Sequence, residues 1–513
     1  MQYYYHLDIQ PPNMLSILAS GLLVSAVVVL FWRRTHRQQD TLPLPPGPKP
    51  LPIVGNLLQL AESDHWKVTH QWHQRYGPLI CFKLGGYTFI SIGSQKVGKE
   101  LLDKRGSIYS SRPSMTFLRE FTSKNLQPAL LPYGPQWKLL HRMQSSLLSR
   151  DAVKAYQPAQ ELESLQLLHD LLNDSSSIAS RHLYRFGTSL AFHLAFGKRM
   201  PNGDEQEVVE LARLVERKVS LFRWVPFLID AFPFLQRLPK FLSPWRKVAS
   251  DLHNTEINLM TRIMKEALQR PDWSWTRELT TMKIGEGLSW GQYCYLLGEM
   301  YTAAHITVTS ALNVFVTLAA RNPSQVRRAQ EEIDITIEAG RIPSLEDIER
   351  LPFVQAFANE VLRYRPLLPV GVPHSVLKDD EYLGYRIPKD AFIIPHHWSM
   401  DLDPDVHIDP TAFRPDRWIK DPKLPLAAFG FGRRSCPGEQ LGRSSFVMVV
   451  MRCLWAFDFL EEAEGASLTP HGQTIISLPA ACLVHLHVRG PVQKEVIEKS
   501  WKFAEIGRKL SAG

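Results

Sequence analysis

Residues 429–442 read FGFGRRSCPGEQLG, and the cysteine at their centre decides how the rest of the chain is read. Cys436 lies between a glycine-rich loop and the start of an apolar helix, where free backbone N–H groups and the positive helix end favour thiolate over thiol. Gly432 and Gly438 let the backbone approach something flat, and the Phe429 ring is placed to cover one side of the sulfur. A thiolate shielded in this way is a strong axial donor to haem iron, the ligation that favours O–O cleavage. Arg434, two residues earlier, is placed to pair with an anionic haem propionate.

The stretch FGFGRRSCPG resembles the haem-binding signature of the cytochrome P-450 superfamily, F-x-x-G-x-R-x-C-x-G, at every fixed position. Two more motifs fall in that family's order. Glu360 and Arg363, in NEVLR, match its E-x-x-R and share one helix face. Alone, such a pair is most often a solvated surface salt bridge. Pro415 and Arg417, in FRPDRW, match its P-x-R element. The resemblance implies that Glu360, Arg363 and Arg417 form a buried cluster fixing the loop that enters the cysteine segment. It also implies a mainly α fold with minor β, a single large helical body with small sheets behind an N-terminal transmembrane helix. The chain looks like a microsomal-type member and is similar in style to fungal enzymes of secondary metabolism.

Further site residues follow from the same resemblance. Trp137, in YGPQWKLLHR, matches the first residue of the family's W-x-x-x-R, but His141 stands at the arginine position and Arg142 comes one residue late. A step of ~100° per residue turns Arg142 off the face shared by Trp137 and His141, so the propionate contact falls to Trp137 and His141. The plain alternative is a partly buried helix histidine. His374, in PVGVPHS, fits the family's propionate-binding basic residue, and Arg112, in SSRP, fits a less specific position near the same edge.

On the oxygen side, GEMYTAAHITVTSAL aligns with the family's A-G-x-(Asp/Glu)-Thr element. Thr307 keeps the hydroxyl, whereas Ile306 stands where a carboxylate belongs. Acid and hydroxyl together organise the water that delivers protons during oxygen activation, and isoleucine neither ionises nor hydrogen-bonds. A helical threonine also commonly bonds back to the carbonyl four residues earlier. His305 is a rival acid, one step round the helix.

Outward from these motifs, residues 14–32 (MLSILASGLLVSAVVVLFW) carry no charge and reach ~28 Å as a helix, close to a bilayer's hydrocarbon thickness. Arg33, Arg34 and Arg37 follow, and no Lys or Arg precedes, which places the following chain in the cytosol. A cleaved signal peptide would carry its basic residues on the other side. The expected organisation is therefore 1–13 lumenal, 14–32 a single-pass anchor in the endoplasmic reticulum membrane, 33–52 a basic and proline-rich hinge, and 53–513 the catalytic domain. Within the body, the S-x-x-Q spacing of Ser289 and Gln292 starts a helix that runs to about Arg321, where Asn322-Pro323 stops it. Another helix starts near Pro352 and ends before Pro366, and a third begins just after Cys436. Extended segments are expected near 78–92, 367–396 and 473–489.

Composition sets the outer limits. The 513 residues are 44% hydrophobic and 21% charged, which excludes a disordered chain or a many-span transporter. Cys81, Cys294, Cys436, Cys453 and Cys482 are far apart without a C-x-x-C, so neither a disulfide scaffold nor a cysteine-rich zinc site fits. The net charge of +8 is spread, with no basic block of the nucleic-acid kind.

The resemblance implies a haem b monooxygenase that takes electrons from an NADPH-dependent reductase and oxidises a small organic substrate with O2. The pocket walls expected at 113–125, 219–240, 366–373 and 471–479 are aliphatic and aromatic, which suits an apolar or weakly polar substrate. The aromatic residues of 219–240 serve equally as a membrane-dipping surface. Ile306 motivates a second reading, oxidative coupling, cyclisation, desaturation or rearrangement on the same fold. A non-catalytic haem or lipid binder is a third, opposed by the intact cysteine loop and Thr307.

Overall fold

Helices supply most of the computed structural model, which describes residues 42–60, 64–174, 179–221, 229–230, 235–461 and 484–511. Those that position the site are α1 (His65–Tyr76), α2 (Pro135–Leu147), α3 (Gln157–Asn173), α4 (Ala179–Phe196), α5 (Pro244–Gln269), α6 (Trp290–Arg321), α7 (Pro352–Tyr364) and α8 (Glu439–Ala456). Among the described residues the strands form three small sheets, one of four strands and two of two.

The spine is α6, 32 residues and thus ~48 Å long. Its start is the reciprocal capping box read from the sequence: Gln292 N–H donates to Ser289 Oγ at 3.3 Å, and Ser289 N–H donates to Gln292 Oε1 at 2.8 Å. Asn322 caps the other end. Although α6 is apolar and long enough to cross a membrane, 67% of its most apolar window is buried, so it serves here as a core helix. Leu296, Leu297, Leu312 and Phe315 bury its sides against α4, α7 and α8. At Gly187 of α4 a Cβ would overlap Thr309 Oγ1, so the glycine is what lets α4 lie close against α6.

The largest sheet pairs β1 (Leu79–Leu84) with β2 (Tyr87–Ile92) as an antiparallel hairpin in register Leu79↔Ile92. Its other strands, β3 (His374–Ser375) and β6 (Phe392–Pro395), come from almost 300 residues later, with β6 parallel to β2 and β3 antiparallel to β6. β4 (Asp380–Tyr382) and β5 (Tyr385–Ile387) make a second hairpin, and β7 (Phe457–Glu461) with β8 (Val484–Val488) a third sheet.

Residues 42–50 of the proline-rich stretch form neither helix nor strand and lie against the body. Cys81 N–H donates to Pro46 O at 2.9 Å and Arg386 N–H to Pro43 O at 2.8 Å. Prolines lack the N–H of a ladder but keep the carbonyl, and those carbonyls dock the segment on the body. The anchor at 14–32, the lumenal 1–13, the basic part of the hinge, the wall at 471–479 and half of 219–240 lie outside the described residues.

The approach to the cysteine loop is fixed by an ionic cluster. The side chains of Glu360 and Arg363 are 0% exposed, and Arg363 Nη2 meets Glu360 Oε1 at 2.8 Å. Arg417 Nε lies 3.1 Å from Glu360 Oε2, Trp418 Nε1 donates to the same oxygen at 3.0 Å, and Arg414 N–H donates to Oε1 at 2.7 Å. Arg363 Nη1 donates to the carbonyls of Asp401 and Pro410 at 2.9 and 2.8 Å. One helix is thereby tied to the loop at 401–418.

Candidate active site

The cysteine loop is a set of tight reversals. Gly430 and Gly432 have φ of +73° and +55°, Cys436 N–H donates to Phe429 O at 2.8 Å, and Gly438 is the residue before α8. A Cβ on Gly432 would overlap the Leu102 carbonyl. That glycine is therefore required by backbone conformation and by a neighbouring chain segment. Gly438 does face the site, its Cβ position lying 3.9 Å from Cys436 Sγ.

Cys436 is exposed at the loop surface, yet protein crowds its flanks, and this desolvation pushes the thiol up to about 11. The Gly438 N–H pulls the other way and the Glu439 charge adds to the rise. Among these influences on the unligated thiol, desolvation is the largest. A metal ion strips the proton from a coordinating thiol, so ligation rather than the loop would set the charge.

Beside the loop stand two arginines, Arg112 buried and Arg434 partly buried. Arg434 donates Nε to Ser110 O at 2.8 Å and Nη2 to Leu131 O at 2.7 Å, and its guanidinium carbon lies 4.0 Å from the centre of the Trp137 ring. Its Nη1 is buried without a hydrogen-bond partner. Burial, with Arg112 adding repulsion, brings Arg434 down to about 8. Arg112 gives Nε to Ala129 O and Nη1 to the carbonyls of Val372 and Pro373, and burial brings it down to about 10.

Trp137 and His141 stack, with centroids 4.7 Å apart and planes 13° from parallel, while Arg142 is exposed. Burial, and then Arg434, lowers His141. His374 is held by its Nδ1, 2.8 Å from Tyr109 O, and burial followed by Arg112 keeps it well below the usual imidazole range. A neutral ring that donates Nδ1–H to a carbonyl has only a lone pair at Nε2. His374 therefore donates to a carboxylate only as the imidazolium.

These groups fit a haem. An uncompensated, partly buried cation with a spare N–H calls for an anion, and a propionate is one. A second cation and two imidazoles lie near Arg434: Arg112 repels Arg434, Arg434 acts on His141, and both arginines act on His374.

On α6, Ala303 and Thr307 are exposed one turn apart while Met300, Tyr301, His305 and Val308 around them are buried. These two positions therefore form an accessible face on an otherwise mostly buried helix. Thr307 Oγ1 donates to Ala303 O at 2.7 Å, the back-bond expected of a helical threonine, which leaves its lone pairs as acceptors. His305 faces away, packed edge-on to Tyr184 at 4.9 Å, and burial lowers it to about 4. It is a neutral core histidine. Glu299 accepts from Ala129 N–H at 2.9 Å and from Gln144 Nε2 at 3.5 Å, and burial pushes its carboxyl up. It ties α6 to the loop that also receives Arg112. Sequence reading offered no signal for this tie, because its ends lie 170 residues apart.

Comparison with known proteins adds the following. The family model described as Cytochrome P450 matches residues 45–483. The cytochrome P450 monooxygenase aneD of Aspergillus aculeatus is 43% identical over 90% of this chain and 91% of its own length. The cytochrome P450 monooxygenase drtD of Aspergillus calidoustus is 37% identical over 88% and 85%, and peniB of Penicillium patulum is 35% identical over 98% and 95%.

Proposed function

Because the chain belongs to the cytochrome P450 family and is an enzyme of the monooxygenase kind, we propose that it is a membrane-anchored haem-thiolate monooxygenase of fungal secondary metabolism. Its substrate is an apolar or weakly polar organic molecule. The observation that carries this reading is the pairing of an open Cys436 with Arg434, whose buried Nη1 has no partner.

Haem b, when bound, supplies O2 activation: one oxygen atom enters the substrate and the other leaves as water, with two electrons from NADPH through a flavoprotein reductase. Cys436 would hold it through its thiolate. Arg434 Nη1 would give a propionate a charge-assisted hydrogen bond, and Trp137, His141 and His374 would bind along with it. A propionate beside His374 would favour the imidazolium, which donates from both nitrogens. Met115, Phe117 and Leu118, buried around the wall at 113–125, keep the substrate side apolar and exclude water.

Thr307 Oγ1, already donating to Ala303 O, accepts a hydrogen bond from a water or a substrate group and so holds that proton donor at the middle of α6. Glu299 is two turns away along α6, ~12 Å, and its oxygens are occupied by Ala129 and Gln144. Proton delivery therefore relies on Thr307 with water or with a polar group of the substrate. Residues 14–32, followed by Arg33, Arg34 and Arg37, hold the body on the cytosolic face of the endoplasmic reticulum membrane.

Ile306 favours one alternative, an outcome without oxygen insertion: coupling, ring closure, desaturation or rearrangement. Turnover with NADPH, reductase and 18-O2 tests both. Labelled product supports the monooxygenase; unlabelled oxidised product supports the alternative; absence of turnover on every metabolite of the host would overturn both.

A further inference from the structure

Two opposite charges stand on the first turns of α8, the helix that follows the cysteine loop. The Glu439 N–H reaches the Cys436 carbonyl at 3.4 Å. One turn on, Arg443 pairs Nε with Glu439 Oε1 at 3.1 Å and donates Nη1 to Asn359 Oδ1 at 2.8 Å. Its guanidinium carbon also lies 4.7 Å from the centre of the Phe429 ring. Phe429 is the residue whose carbonyl receives the Cys436 N–H. Arg443 is thus held on three sides: by a carboxylate on its own helix, by an amide on α7 next to the buried Glu360, and by an aromatic face of the cysteine loop. An ordinary exposed i,i+4 pair needs neither of the last two contacts. What those contacts do is fix the position of the cation.

Position matters here because a nearby charge biases one-electron chemistry. Reducing a ferric haem-thiolate to the ferrous form adds one negative charge, which a neighbouring cation stabilises and a neighbouring carboxylate opposes. We propose that Arg443 and Glu439 form an opposed charge pair that sets the reduction potential of the haem iron on Cys436, Arg443 raising it and Glu439 lowering it, with Asn359 positioning Arg443. This rests on the haem-thiolate reading. Both side chains are about one-third exposed, at 33% and 36%, and Arg443 borders a surface groove of about 370 Å³ with Gln440, Ser444 and Asn359. Solvent ions reach the pair, so its influence weakens with salt.

The test is a dye-mediated dithionite titration of the full-length, haem-loaded protein, with haem content and the reduced carbon monoxide spectrum recorded for each variant. At a fixed potential, Arg443→Gln should lower the ferrous-to-ferric ratio at least about threefold, a shift of ~28 mV at ~59 mV per decade. Glu439→Gln should raise the ratio by a similar factor, and the double variant should return close to wild type. Asn359→Leu should move it in the same direction as Arg443→Gln but less, and Arg443→Lys should hold it near wild type. Raising the salt to ~1 M should shrink the shifts. Merely structural roles would lower haem content without opposed signs. Shifts below about twofold, or both single glutamine variants moving the same way, would overturn the proposal; if Arg443→Gln fails to load haem, the sign for Glu439→Gln decides. A wild-type spectrum lacking the red-shifted thiolate band would instead remove the haem-thiolate reading beneath it.

Discussion

Two groups of arginines in this molecule are treated in opposite ways. Around Glu360, every nitrogen of Arg363 has an acceptor, and the carboxylate is saturated by Arg363, Arg417, Trp418 and the Arg414 N–H. At the cysteine edge, Arg112 and Arg434 meet mostly backbone carbonyls, and one Arg434 nitrogen meets nothing. The first group is electrostatically closed, the second open. Closure is what a scaffold needs, since an uncompensated buried ion costs several kcal/mol. An opening of that size is the mark of a place for a charged ligand. Burial alone would not separate the two groups; hydrogen-bond completeness does.

The difference is best broken from the closed side. Arg363→Ala should leave Glu360 and Arg417 buried and uncompensated, a loss of ~3–5 kcal/mol, so that no haem protein accumulates and the melting temperature collapses. Normal haem content in that variant would show that the cluster is not structural. On the open side, Arg434→Ala should cost the apoprotein far less stability but speed haem transfer to a scavenger by about tenfold, the worth of one charge-assisted hydrogen bond. Equal damage to folding in both variants would erase the distinction between the groups.

A smaller effect belongs to the oxygen side. Thr307→Ala should release more hydrogen peroxide per NADPH at the expense of product, Glu299→Gln should do much less, and Ile306→Asp should improve the coupling of a hydroxylating enzyme. Unchanged leakage in Thr307→Ala would reduce that residue to a helix position.

The least effect concerns pH. Burial brings His73 and His397 to about 4, and burial together with Arg363 and Arg417 brings His407 to about 3. Folded values below the unfolded ~6.5 mean that the unfolded chain takes up protons the folded one refuses. These histidines therefore contribute stability above pH ~6.5 that is lost as pH falls toward ~4. Asp401, raised by burial to about 7, acts in the opposite sense over ~4 to 7 and only partly offsets them. Urea titrations of the apoprotein should show stability declining from pH 7 to 5, with a shallower slope in His397→Phe; a flat profile would contradict the assignment of neutral buried rings.

How much of this was legible follows the range of the contacts. The capping box at Ser289, the stop at Asn322, the Pro352–Tyr364 helix and the helix after Cys436 are local patterns, and each stands where its residues place it. Motif order pointed to the Glu360–Arg363–Arg417 group, but Trp418 and the Arg414 N–H were not read, although both lie inside FRPDRW. Nothing local announces that Arg434 bonds carbonyls 324 and 303 residues earlier, or that Leu102 is what forces a glycine at 432. The surroundings of the Cys436 thiol divide in the same way. A helix end is visible in sequence, whereas the desolvation that outweighs it comes from chain packed around the loop.

The contrast between a closed scaffold and an open site finally depends on what fills the opening. The most direct measurement is the absorption spectrum of the freshly purified, dithionite-reduced wild-type protein under carbon monoxide, beside Cys436→His. The account predicts the strongly red-shifted Soret band of thiolate-ligated haem in the wild type and its loss in the variant. A histidine-type band in folded wild-type protein, or a thiolate band that survives Cys436→His, would contradict it.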